Sequence, residues 1–189
     1  MSNASAKHTT TRRTALTGLG AGGLGLALAA RGTAAQDAAA DMARHPIIGA
    51  WMVTTGAGPA MGVFHPDGTN IQGLPATQAG PNGVAFVSTQ VGTWEPVGER
   101  GVHFTGVQLH TDATGALIGT VEIDAYPVVS EDGLTLLDED PRSGPIIRDA
   151  AGTVVADMRG SGPPATGIRM GPGVSGLPGG IPPLATPTS

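Results

Sequence analysis

The sequence predicts an all-β fold: one antiparallel domain of eight to ten strands that closes into a barrel. Three observations carry this. Between about His45 and Met170 no stretch shows helical periodicity of useful length. Short runs of Val, Ile, Thr and aromatic residues recur instead, punctuated every eight to twelve residues by Gly, Pro, Asp or Asn, which is the spacing of a sandwich or barrel. A sheet of that many strands leaves aggregation-prone edges unless it curls and closes.

The strands follow one another in order. Ile47–Thr54 opens the sheet, and Pro66-Asp67-Gly68-Thr69 divides Met61–His65 from Asn70–Gln72. Gly98-Glu99-Arg100-Gly101 separates Thr89–Trp94 from Val102–His110. Asp112-Ala113-Thr114-Gly115 leads into Leu117–Tyr126, and Glu131-Asp132-Gly133 into Leu134–Leu137. Asp149-Ala150-Ala151-Gly152 precedes Thr153–Asp157, and Gly162-Pro163-Pro164 precedes Ala165–Met170. Each turn carries Gly where a positive φ is wanted, or Asp where a side chain can bond the backbone. Gly80–Phe86 and the segment around Pro141–Pro145 are the least regular, and Pro145 before Ile146-Ile147 suggests an edge strand or a lid.

The domain, 45–170, is flanked by segments of other kinds. Lys7 and Arg12-Arg13 precede a Gly- and Ala-rich apolar run, Leu19–Ala30, that ends in Arg31 and the small residues Thr33, Ala34 and Ala35. A basic region, a modest apolar region and a small-residue exit make a signal peptide over 1–35. The paired arginines give it the twin-arginine form, and the apolar run is too short and too Gly-rich for a membrane-spanning helix. The expectation is an exported protein, periplasmic or extracellular. Residues 36–44 read as a spacer, and 171–189, dominated by Gly, Pro, Ser and Thr, as a disordered tail.

Removing the leader changes the charge. Six arginines and no lysine then face 15 acidic residues, a net charge of −9. Such a surface repels phosphate backbones and anionic head groups, so neither nucleic acid nor a membrane is the expected partner. The chain has no cysteine, which removes disulfides, thiolate metal sites and cysteine nucleophiles together.

Gly49-Ala50-Trp51 is a G-x-W on the first strand, Phe64-His65-Pro66-Asp67-Gly68-Thr69 has the form of a first hairpin, and Gly92-Thr93-Trp94 repeats the G-x-W. Over about 45–170 the chain resembles the lipocalin-like (calycin) barrels of small secreted bacterial proteins. The resemblance implies that Trp51 packs across the closed end of the barrel, with Arg169 on the last strand as the arginine covering it. It also implies an interior that binds a small apolar or amphipathic ligand; no cofactor is expected.

Residues for such a site are few. Trp51, Phe64, Phe86, Phe104 and Tyr126 are candidates for lining it, with Val107 and Leu109 beside them, and Gln90 and Gln108 are amides that can orient a ligand from inside a barrel. The direction of both amides is open, because Val102–His110 alternates poorly. On the strand Leu117–Tyr126 a two-residue period puts Thr120, Glu122, Asp124 and Tyr126 on one face, opposite Leu117, Gly119, Val121, Ile123 and Ala125. If that polar row lines a cavity, Glu122 or Asp124 with His110 serves as acid and base, the arrangement of a barrel-pocket isomerase or cyclase resembling allene oxide cyclase-like barrels. If the apolar face is the core, the row is merely wet. His103 and His110, an odd number of residues apart, face opposite sides of one strand, so no metal site is expected from them. A third possibility is a non-catalytic surface interaction module.

Overall fold

A computed structural model describes residues 42–80, 83–174 and 176. Residues 1–41, 81–82, 175 and 177–189 are outside the described residues, and with them the expected leader, most of the expected spacer and most of the expected tail. The strands are β1 (Gly49–Thr55), β2 (Gly58–Phe64), β3 (Thr69–Gly73), β4 (Thr77–Gly80), β5 (Gly83–Val87), β6 (Gln90–Val97) and β7 (Gly101–Thr111). They continue with β8 (Leu117–Ala125), β9 (Val128–Val129), β10 (Thr135–Asp138), β11 (Gly144–Asp149), β12 (Val154–Asp157) and β13 (Ala165–Arg169).

All pairings are antiparallel, and the ring closes. Its circuit is β1–β2–β3–β6–β7–β9–β10–β13 and back to β1, with β9 meeting β7 at Gly101↔Val128 and β13 meeting β1 at Trp51↔Arg169. The barrel therefore has eight strands and no open edge in its wall. The other strands extend from β7. Its upper half pairs on one side with β8, which carries β11 and β12, and on the other with β5.

The turns form where Asp and Gly fall. Asp67 Oδ1 accepts the Thr69 N–H at 2.9 Å, Asp112 that of Thr114 at 2.8 Å, and Asp132 that of Leu134 at 3.0 Å. Each is an Asx turn in which a side chain imitates the backbone. Gly68 and Gly115 follow at φ 84°, a conformation that costs a residue with a Cβ.

Two segments differ from the sequence reading. Of the stretch read as irregular, Gly80 and Gly83–Phe86 are paired strand residues, β4 with β5. Pro145 is not on an edge: β11 is paired by β8 on one side and by β12 on the other. The ladder tolerates it because the Pro145 carbonyl accepts from Met158 N at 2.9 Å, and the missing N–H falls at the end of the β11–β12 pairing.

One end of the barrel is plugged. A helical turn at Met42–Arg44 leads into His45 and Ile47, which are buried beneath Trp51 and Trp94. Phe64 meets Trp94 and Phe104 edge-on, with ring centroids 6.2 and 5.6 Å apart, the geometry aromatic quadrupoles favour. Trp51 Nε1 donates to the Ile47 carbonyl at 2.7 Å, and Trp94 Nε1 to that of His65 at 2.9 Å, so neither buried indole lacks a partner. Arg169 lies 4.3 Å above the Trp51 ring and donates to the carbonyls of Gly133, Ile48 and Pro46. The barrel is thus sealed at this end by a cation–π contact and charge-assisted hydrogen bonds.

Candidate functional site

Polar side chains gather in two places. The first is inside the barrel. Gly62 of β2, Gln72 of β3 and Gln90 of β6 are successive partners across the sheet. Extending the β6–β7 register one residue beyond Val91↔Val107 sets Gln108 beside Gln90. The row faces inward: Gln90 has no exposed surface and Gln108 only 2 %. Asn70, also fully buried, is the next inward residue on β3.

Two glycines make this packing possible. An ideal Cβ on Gly62 would stand 3.3 Å from Gln72 Cγ, and one on Gly106 would stand 2.3 Å from Gln90 Nε2. The amides occupy the volume those side chains leave. What they do not find there is a full set of hydrogen bonds. Asn70 Nδ2 donates to the Val63 carbonyl at 3.3 Å, but Asn70 Oδ1, both polar atoms of Gln90, Gln108 Oε1 and His110 Nε2 are buried without a partner. Each such atom costs about 1–3 kcal/mol of unrecovered desolvation. Burial also holds the His110 imidazole below its ordinary pKa, keeping it neutral.

No family profile, curated protein or solved structure matches the chain. Its chemistry is therefore read from its own residues.

The second gathering is on the outer wall. His103 Nε2 faces Asp124 Oδ1 at 2.8 Å, and its Nδ1 faces Glu95 Oε1 at 3.3 Å. The ring stacks flat on Tyr126, 4.4 Å between centroids, and the Arg142 guanidinium covers the other face of Tyr126 at 3.9 Å. Arg159 reaches Asp124 at 3.8 Å, and Arg148 reaches Glu122 at 3.6 Å. Burial pulls the His103 pKa down, but the hydrogen bonds to Asp124 and Glu95 outweigh it, and the net shift is upward. Both ring nitrogens are occupied by carboxylates, so His103 clasps β6, β7 and β8 together and has no nitrogen left to activate a nucleophile. Among the described residues no group of three or more His, Asp or Glu has the geometry to hold a metal ion.

The residues singled out in the sequence divide between these places. Gln90 and Gln108 lie inside the barrel, with Trp51, Phe64 and Phe104 toward the plugged end; His110, half-buried, is on the same face of β7 but beyond the barrel pairing, between β5 and β8. Tyr126, Glu122 and Asp124 are on the outer wall, and Phe86, Val107 and Leu109 are outside and exposed. Phe86, Val107, Leu109 and Tyr126 therefore do not line an interior. The pairing of Glu122 or Asp124 with His110 as acid and base also falls. Gln108 and His110 pair with Val121 and Gly119 on the inner face, which turns Glu122 and Asp124 to the other side of the sheet.

Asn70, Gln72 and the His103 clasp were not singled out from the sequence. Asn70 and Gln72 are two residues apart on a short strand, the spacing of one face. For the clasp the signal was the turn Gly98–Gly101, whose register makes Glu95 and His103 direct partners.

Proposed function

We propose that this domain is an exported lipocalin-like (calycin) barrel that carries a small amphipathic molecule in its interior. The observation behind this reading is the inward row of amides with unpartnered polar atoms, Asn70, Gln90 and Gln108, with His110 at its end. Native interiors rarely leave so many polar atoms unsatisfied, and each one invites an absent partner. A ligand that offers hydrogen bonds recovers the desolvation cost on binding, while the aromatic packing of Phe64, Trp94 and Phe104 gives its apolar part a neighbour. Because the amides have almost no exposed surface, uptake is accompanied by local opening of the wall, and association is slow. Trp51 under Arg169 at the plugged end supports the lipocalin-like reading, and the twin-arginine leader supports delivery outside the cytoplasm.

Native mass spectrometry on the protein purified without denaturation tests this. An added mass of a few hundred daltons, lost on solvent extraction and missing from the Gln90→Met/Gln108→Met variant, supports the carrier. An unliganded mass for both proteins, from more than one exporting host, counts against it.

A further inference from the structure

The carrier reading leaves the ligand's chemistry open, and the inward-facing groups narrow it. Asn70 Oδ1, Gln90 Oε1 and Gln108 Oε1 are acceptors, Gln90 Nε2 is a donor, and His110 Nε2 is a neutral ring nitrogen. Interchanging oxygen and nitrogen in any of the amides alters which atom donates but adds no charge.

Cations are spent elsewhere: Arg44, exposed, is on the helical turn at the plugged end. Arg169 is committed to three backbone carbonyls and the Trp51 face at the plugged end. Arg142, Arg148 and Arg159 are on the outside, paired with Asp140, Glu122 and Asp157. Arg100 is exposed and reaches the Val129 carbonyl at 3.3 Å. After the leader the chain has no lysine at all. The one buried carboxylate among the described residues, Asp138, already accepts from Ser143 Oγ at 2.7 Å, Tyr126 N at 3.2 Å and Asp140 N at 3.3 Å.

Resting on the carrier reading, we propose that the amide row of β3, β6 and β7 selects a ligand with an uncharged, hydrogen-bonding head group, a hydroxyl or a carboxamide, and rejects carboxylates. A carboxylate moved to this row would be a desolvated charge with no cation beside it, and the acceptors already there would repel it. An ammonium would meet acceptors but no free counter-charge. An alcohol or amide satisfies orphaned atoms at no such cost, and a carboxamide can pair bidentately with a glutamine side chain.

Four probes with one chain and different heads separate the outcomes: lauryl alcohol, lauramide, laurate and laurylamine. Each is titrated below its aggregation threshold into the delipidated protein at neutral pH, with calorimetry and tryptophan fluorescence as readouts. The expected result is that the alcohol and the amide bind about tenfold or more tighter than laurate and laurylamine. Gln90→Met/Gln108→Met should abolish that preference while the protein stays folded by circular dichroism. Laurate or laurylamine binding as tightly as the alcohol overturns the head-group rule and leaves the carrier standing. No uptake of any of the four overturns both.

Discussion

Replacing Gln90 with methionine should make the protein more stable and less useful. Gln90 is wholly buried and neither of its polar atoms has a partner. An unsatisfied buried polar group costs about 1–3 kcal/mol, and an amide brings two. Methionine has nearly the same length and enough torsional freedom to follow the path over Gly106, so the repacking loss should stay below about 1.5 kcal/mol. The net gain expected is about 2 kcal/mol, which for a domain of this size raises Tm by roughly 6–10 °C. Urea unfolding at neutral pH, with an unchanged m-value, measures the free energy, and calorimetry gives Tm. Ligand uptake should fall in the same variant, as in other sites where function holds a destabilising group in place. A variant that melts lower than the wild type by a comparable amount would mean that the amide is satisfied in solution, and the argument from orphaned atoms would fail.

Gly106→Ala should destabilise by about 1–3 kcal/mol, because the new Cβ overlaps Gln90 Nε2; combined with Gln90→Ala its own increment should shrink, seen as a non-additive double-mutant cycle in urea. Arg169→Lys should cost about 2–4 kcal/mol in the same assay, since an ammonium cannot bond three diverging carbonyls and still lie flat over Trp51. His103 has a folded-state pKa raised above its ordinary 6.5, so its contribution is complete below that value and is lost as pH climbs through the folded one. His103→Gln should therefore cost more stability at about pH 5.5 than at about pH 8.5. His45 and His110, whose pKa values burial lowers, slope the opposite way, but they are common to both proteins and cancel in the difference. Equal losses at the two pH values would remove the clasp from the account.

The turns and most strand positions were legible because Asp and Gly act locally: Asp67, Asp112 and Asp132 each fix a turn with their own side chains. The β8 strand was legible for a related reason, since a clean two-residue alternation told which residues shared a face. What the alternation did not give was which face was inside. The β2–β3–β6–β7 wall shows why. Its outward row is Val63, Ile71, Val91 and Val107, all exposed, with Val91 at 61 %, while the neighbouring inward row is Gly62, Gln72, Gln90 and Gln108. The usual polarity is reversed there, the outer β-branched residues stabilising the sheet as cross-strand neighbours. Val102–His110 looked irregular because Gly106 and Gln108 hold inward positions while Val107 and Leu109 face out; in the fold the strand alternates strictly through Gln108. The site was hidden for the same reason. Amides and glycines stand where a hydropathy pattern expects a core.

The seal at the plugged end has a consequence in time. Arg169 binds the carbonyl of Ile48 across 121 intervening steps of chain, so the first strand cannot acquire its second neighbour until the last one exists. At about 5–20 residues per second a ribosome needs roughly 6–24 s to make that connection possible. During that interval the free edge of β1 is open to any passing strand. Long-range closure of this kind also slows folding after synthesis. The nascent barrel is thus a molecule whose earliest segment waits for its latest, and a chaperone that shields Gly49–Thr55 during translation should raise the yield of folded protein more than one that acts on the finished chain.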